Sequence, residues 1–100
     1  MNITELPLTA DNQSFSVTIN STVYEITIIW RGTGWFLDLM DNAGTLIIGG
    51  IALVTLVDLL AQYQYLGLDF SLYVVCDVQG QEYPTQTDLG TTSHLYIVTE

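Results

Sequence analysis

His94 is the only histidine in the chain, and its charge is the one that changes near neutral pH. With Ser93 beside it and eleven acidic residues available, a serine–histidine–acid relay is the first chemistry to test. Such a relay needs the hydroxyl and the imidazole on the same side. Consecutive strand residues point to opposite faces, which separates Ser93 from His94. His94 therefore reads as a strand-surface or interface histidine. Paired carboxylates are the next option, since two of them can hydrolyse a glycoside. Asp38 and Asp41 are close in sequence, but one lies on a strand face and the other opens a turn. In a chain with eleven acids, such pairs arise by chance.

Metal and phosphate chemistry fare no better. Asp41-Asn42-Ala43-Gly44 superficially resembles a calcium loop, yet it lacks alternating oxygen ligands and a terminal bidentate glutamate. Gly32-Thr33-Gly34 and Gly49-Gly50 lack the lysine and the following helix of a phosphate loop. All three read as turns or kinks. Cys76 stands alone, so neither an internal disulfide nor a thiolate cluster is expected. Its place in Tyr73-Val74-Val75-Cys76 suits a small buried hydrophobe. No catalytic residue, cofactor or metal is assigned.

The aromatic residues are more informative. Phe15, Tyr24, Trp30 and Trp35 fall on one face of the strands they occupy. Buried, they fill a core; exposed, they would form a platform for sugar rings, as in carbohydrate-binding modules. The core reading is preferred and the carbohydrate-binding β module is the alternative. Tyr63, Tyr65, Tyr73 and Tyr83 lie in or beside the irregular second half, next to apolar stretches, and are candidate interface residues.

Composition narrows the partners. The chain has eleven acids, one arginine (Arg31) and no lysine, for a net charge of −10. Phosphate contacts need lysine and arginine, so direct nucleic-acid binding is not expected. An acidic surface favours solubility, and it could equally line a path along which DNA slides without sticking. Hydrophobic residues make up 49 % of the chain and mean hydropathy is +0.39, rich for a protein of 100 residues. Burial against other subunits would account for this. Membrane insertion is the competing account. It is disfavoured because the longest uncharged stretch, Asn42 to Val57, is broken by glycines and threonines and has no basic flank. Met1-Asn2-Ile3-Thr4-Glu5 has neither a basic region nor an apolar core, so no signal peptide is expected.

The elements that would position these residues have a period of two. Phe15, Val17 and Ile19 alternate with Ser14, Ser16 and Thr18. A two-residue turn at Asn20-Ser21 pairs Ile19 with Thr22 and continues the apolar face as Tyr24, Ile26, Ile28 and Trp30. Arg31-Gly32-Thr33-Gly34 is the next turn, and Trp35, Leu37 and Leu39 follow on the same face. Residues 13 to 40 thus read as a three-stranded meander. Residues 45–48 and 51–57 are apolar on both faces, which suits strands buried on both sides or facing another subunit. Gly49-Gly50 would kink or bulge between them. Strand is expected to about Val57, then a short helical turn or ordered loop near residues 58–65. Leu68 to Val78 reads as a strand with Phe70, Leu72 and Val74 on one face. A loop follows to Thr92, and the last strand runs from Leu95 to Thr99. The expectation is one all-β domain spanning residues 1–100, mainly antiparallel. A small β-sandwich and a partly open barrel, of six to eight strands, both fit.

Several segments in order resemble a known family. They are Pro7-Leu8-Thr9, Asn12-Gln13-Ser14-Phe15, Val23-Tyr24, Trp30-Arg31 and Gly34-Trp35-Phe36-Leu37-Asp38. Asp58-Leu59-Leu60-Ala61-Gln62-Tyr63, Tyr83-Pro84-Thr85, Asp88-Leu89-Gly90-Thr91-Thr92 and Leu95-Tyr96-Ile97-Val98 complete the set. Together they resemble the baseplate plug family of contractile-tailed phages. The resemblance implies a non-enzymatic virion structural protein in the tail baseplate, made in the host bacterial cytoplasm. It also implies packing against hub and tail tube proteins in a homo- or hetero-oligomer, and a part in closing or organising the tail lumen.

Overall fold

The computed structural model describes residues 2–55, 57–68 and 70–99, the side chains of Gln64 and Tyr65 excepted. Among these described residues, seven strands form two antiparallel sheets. They are β1 (Asn2–Leu6), β2 (Gln13–Ile19), β3 (Thr22–Trp30), β4 (Trp35–Asp41), β5 (Leu46–Ala52), β6 (Ser71–Cys76) and β7 (Ser93–Thr99). The larger sheet has the order β2-β3-β4-β5 and the smaller one β1-β7-β6.

The meander forms because its turns and its apolar pattern agree. Asn20 and Ser21 both take positive φ (50° and 67°), the backbone of a two-residue turn whose twist matches the strands it joins. Ile19 therefore faces Thr22, and the register runs on to Phe15↔Ile26. At the next corner Arg31 N–H donates to Gly34 O, which closes the turn and pairs Trp30 with Trp35. The face so aligned buries Ile26, Ile28, Trp35, Leu37 and Leu39. Leu6, Leu72, Val74, Leu95 and Ile97 of the smaller sheet join the same core cluster. The molecule is thus a sandwich of two sheets rather than a barrel.

Gly49-Gly50 produces the expected irregularity. Between the pairs Leu37↔Ile51 and Leu39↔Ile48, β5 holds one residue more than β4. Gly50 takes φ +70° there, and its N–H is caught by Asp38 Oδ1 at 2.8 Å.

Three features differ from the sequence reading. First, β5 ends at Ala52 rather than near Val57, and it is an edge strand, which removes burial on both sides within the chain and leaves the option of a strand facing another subunit. Leu46, Val54 and Val57 are exposed. Apolar residues on both faces of a segment do not distinguish a central strand from an edge with a greasy outer side. Second, Leu68–Val78 is only partly strand, because the ladder to β7 spans Ser71–Cys76. Leu68 and Phe70 are nonetheless buried on the same side as Leu72 and Val74. Third, Asn2–Leu6 is a strand, too short and too polar to show a period of its own. The helical turn falls at Ala61–Leu66, as a 3-10 helix.

Candidate interaction face

The smaller sheet has an outer face built by alternation. On β7, Ser93, Leu95 and Ile97 are buried, so His94, Tyr96 and Val98 point outward. On β6, Leu72 and Val74 are buried, so Ser71, Tyr73 and Val75 point outward. The registers Val75↔His94, Tyr73↔Tyr96 and Ser71↔Val98 set these side by side. On β1, Ile3 lies opposite Val98 and Glu5 opposite Tyr96. Ile3 is 63 % exposed, Val75 46 % and Tyr73 36 %. Five of these eight side chains are apolar or aromatic, and Val78, 55 % exposed, extends the apolar surface past the end of β6. Beyond β6 lies a shallow groove of about 490 Å³ lined by Thr55, Tyr73, Val75, Val78, Gly80 and Glu82 among others.

A charged crosspiece ties the three strands together. His94 Nδ1 lies 2.9 Å from Glu5 Oε2, and Nε2 lies 3.1 Å from Asp77 Oδ2. An imidazole can donate from both nitrogens only when protonated. The hydrogen bonds to Asp77 and then to Glu5 raise the pKa of His94 above its ordinary value. Neither carboxylate was singled out by the sequence, because Glu5 is 89 residues away and joins His94 only through the β1–β7 ladder.

The outer edge of β6 is covered in part. The N–H of Leu72 donates to Asp58 Oδ1 at 3.3 Å, and its carbonyl accepts from Leu59 N–H at 2.8 Å. Thr55 bridges Val74 in parallel. This leaves the face of the sheet, more than the edge of β6, as open apolar surface.

Of the four candidate interface tyrosines, the three with described side chains do not form one patch. Tyr73 is on the outer face, and Tyr83, 51 % exposed, follows Glu82 at the end of the groove. Tyr63 is half-buried against the core and lines a different hollow with Val54, Val57 and Gln62. The side chain of Tyr65 lies outside the described residues. Phe15, Tyr24, Trp30 and Trp35 face inward. Trp35 is buried and meets Trp30 edge-on, with ring centroids 5.5 Å apart. Tyr24 packs on Phe70 at 5.4 Å, and Phe15 rests half-buried against the core. The face that would have stacked on sugars thus points into the sandwich.

The residues weighed for chemistry are engaged elsewhere. Ser93 is fully buried and its Oγ donates to Cys76 Sγ at 3.2 Å, on the opposite side of β7 from His94. Burial pushes the Cys76 thiol up, and Asp88 and Asp77 add to the rise, against the bond from Ser93. Asp41 Oδ1 accepts the N–H groups of Ala43 and Thr45, both at 2.9 Å, which fixes a turn. Among the described residues, no three His, Cys, Asp or Glu side chains converge as a metal site, and no helix is long and apolar enough to cross a membrane.

Fold and surface define a class, a small acidic β-sandwich with an apolar outer sheet face. A family model described as "Cyanophage baseplate Pam3 plug gp18" matches residues 3–100. The chain belongs to this baseplate plug family, which gives it a structural role in a phage tail baseplate, in association with other baseplate proteins. No curated protein matches the chain.

Proposed function

We propose that this chain is a plug at the central end of the tail tube, a single domain that works by packing against hub and tube proteins and catalyses nothing. The observation that carries this reading is membership of the plug family over residues 3–100. The apolar outer face and the exposed Tyr73 and Tyr83 supply surface that a subunit of an assembly would bury. The net charge of −10 supports a place beside a DNA conduit, where a basic wall would hold the genome back. The engaged states of Asp38, Asp41 and Ser93 support a non-catalytic role. Electron microscopy of the intact virion tail tests the proposal. Density for this sandwich is expected at the tube axis within the baseplate. Its absence from the tail, or a position on the outer rim, would overturn the reading.

A further inference from the structure

We infer that the outer face of the smaller sheet is covered by a different chain whose contact surface is apolar at its centre and carries lysine or arginine at its rim. The inference rests on the assembly reading above and adds the surface and the chemistry of the partner. The apolar part is Ile3, Val98, Tyr96, Tyr73 and Val75, side by side across β1, β7 and β6, with Val78 past the end of β6. The charges around it are one-sided. Glu5 and Asp77 flank the face, and Glu82 lines the adjoining groove. Among the described residues, the one side chain on the face that can carry positive charge is His94, and it is already held between two of these carboxylates. A partner therefore meets surplus negative charge around an apolar centre.

A second copy of this chain is the wrong occupant. A two-fold contact through this face would use the same patch on both copies, so the acidic rim of one would meet a patch with no lysine or arginine on its mate. Each copy would bring a net charge of −10, and no lysine is available to offset it. Arg31, the only arginine, sits at the β3–β4 corner of the other sheet, with its guanidinium over the Phe36 ring at 5.1 Å. Nucleic acid and anionic lipid fail on the same sign of charge.

Photo-crosslinking in assembled tails tests this. The full chain is made with p-benzoylphenylalanine in place of Tyr73, and separately in place of Thr18 on the other sheet, and built into the phage tail. Crosslinks from position 73 are expected to land on another protein, within segments containing lysine or arginine. Glu82→Lys, whose side chain holds no strand in place, is expected to cut the yield from position 73 at least fivefold and to leave that from position 18 unchanged. Circular dichroism verifies that the fold is kept. Crosslinks to a second copy or to acidic segments would overturn the inference, as would none from position 73 or an unchanged yield with Glu82→Lys. Mass spectrometry of the same tails shows whether the chain is present, which judges the baseplate assignment separately.

Discussion

The indole Nε1–H of Trp35 donates to the carbonyl oxygen of Thr85 at 2.8 Å, across 50 positions of sequence. Trp35 opens β4 and is 2 % exposed, so the loop between β6 and β7 is anchored to the floor of the larger sheet. Trp35→Phe keeps an aromatic ring but removes the donor and leaves the Thr85 carbonyl without it. The expected loss is about 1–3 kcal/mol of unfolding free energy. Urea denaturation followed by circular dichroism measures it. A loss below about 0.5 kcal/mol would mean that water replaces the indole without cost.

The His94 clamp makes stability depend on pH with a definite sign. Its folded pKa is raised, first by the bond to Asp77 and then by that to Glu5. A raised pKa means that the folded state holds the proton more tightly than the unfolded chain. The contribution is complete below the unfolded value of about 6.5 and is lost as pH rises through the folded pKa. Both carboxylates are largely exposed, so the effect is modest, at most about 1 kcal/mol. Tm should fall as pH rises above about 6.5, and His94→Gln should flatten that slope. A Tm that rises with pH above that point in the native chain would contradict the clamp.

Legibility in the sequence followed the range of the interactions. The meander could be read because its turns are short and its side chains alternate, so Asn20-Ser21 fixed the register of Ile19 and Thr22 without help from elsewhere. Phe70, Leu72 and Val74 could be read for the same reason, as one buried row. The place of β1 could not. Five residues with one buried side chain carry no period, and only pairing with β7 at the far end of the chain makes them a strand. The outer face follows from that pairing, so Ile3 and Glu5 were invisible as neighbours of Val98 and His94. Residue type and region mark the candidate interface tyrosines in the sequence, but the sandwich separates Tyr63 from Tyr73 because the 3-10 turn and β6 lie against different hollows.

Gly90 and Leu8 form a contact that only glycine permits. Gly90 takes φ +85°, and a Cβ there would overlap the carbonyl oxygen and carbon of Leu8. Those are backbone atoms and cannot swing aside as a side chain end would. Gly90→Ala therefore adds a clash to a backbone conformation that costs alanine about 1 kcal/mol. The expected destabilisation exceeds about 2 kcal/mol. Gly80→Ala is the comparison, since Gly80 has φ +84° but nothing within 4 Å of a Cβ. It should lose only about 1 kcal/mol. Equal losses in urea denaturation would show that backbone strain alone, and not the approach to Leu8, sets the cost.

Charge makes the last prediction, because eleven acids face one arginine and one histidine. The folded chain holds these carboxylates closer together than the unfolded chain does, so self-repulsion opposes folding. Salt screens this over a Debye length of about 10 Å at 0.1 M, comparable to the spacing of charges across so small a protein. Salt also weakens the clamp of Glu5, His94 and Asp77, but that is one cluster against the repulsion of the whole surface. The net effect of raising sodium chloride from about 0.05 to about 0.5 M should be a gain of about 1 kcal/mol. For a domain of this length that is roughly 4–8 °C in Tm. Replacing exposed Glu82 by glutamine should raise Tm at low salt and narrow the gain between the two salt concentrations. A Tm that falls with salt would mean that the favourable pairing around His94 outweighs the repulsion among the remaining acids.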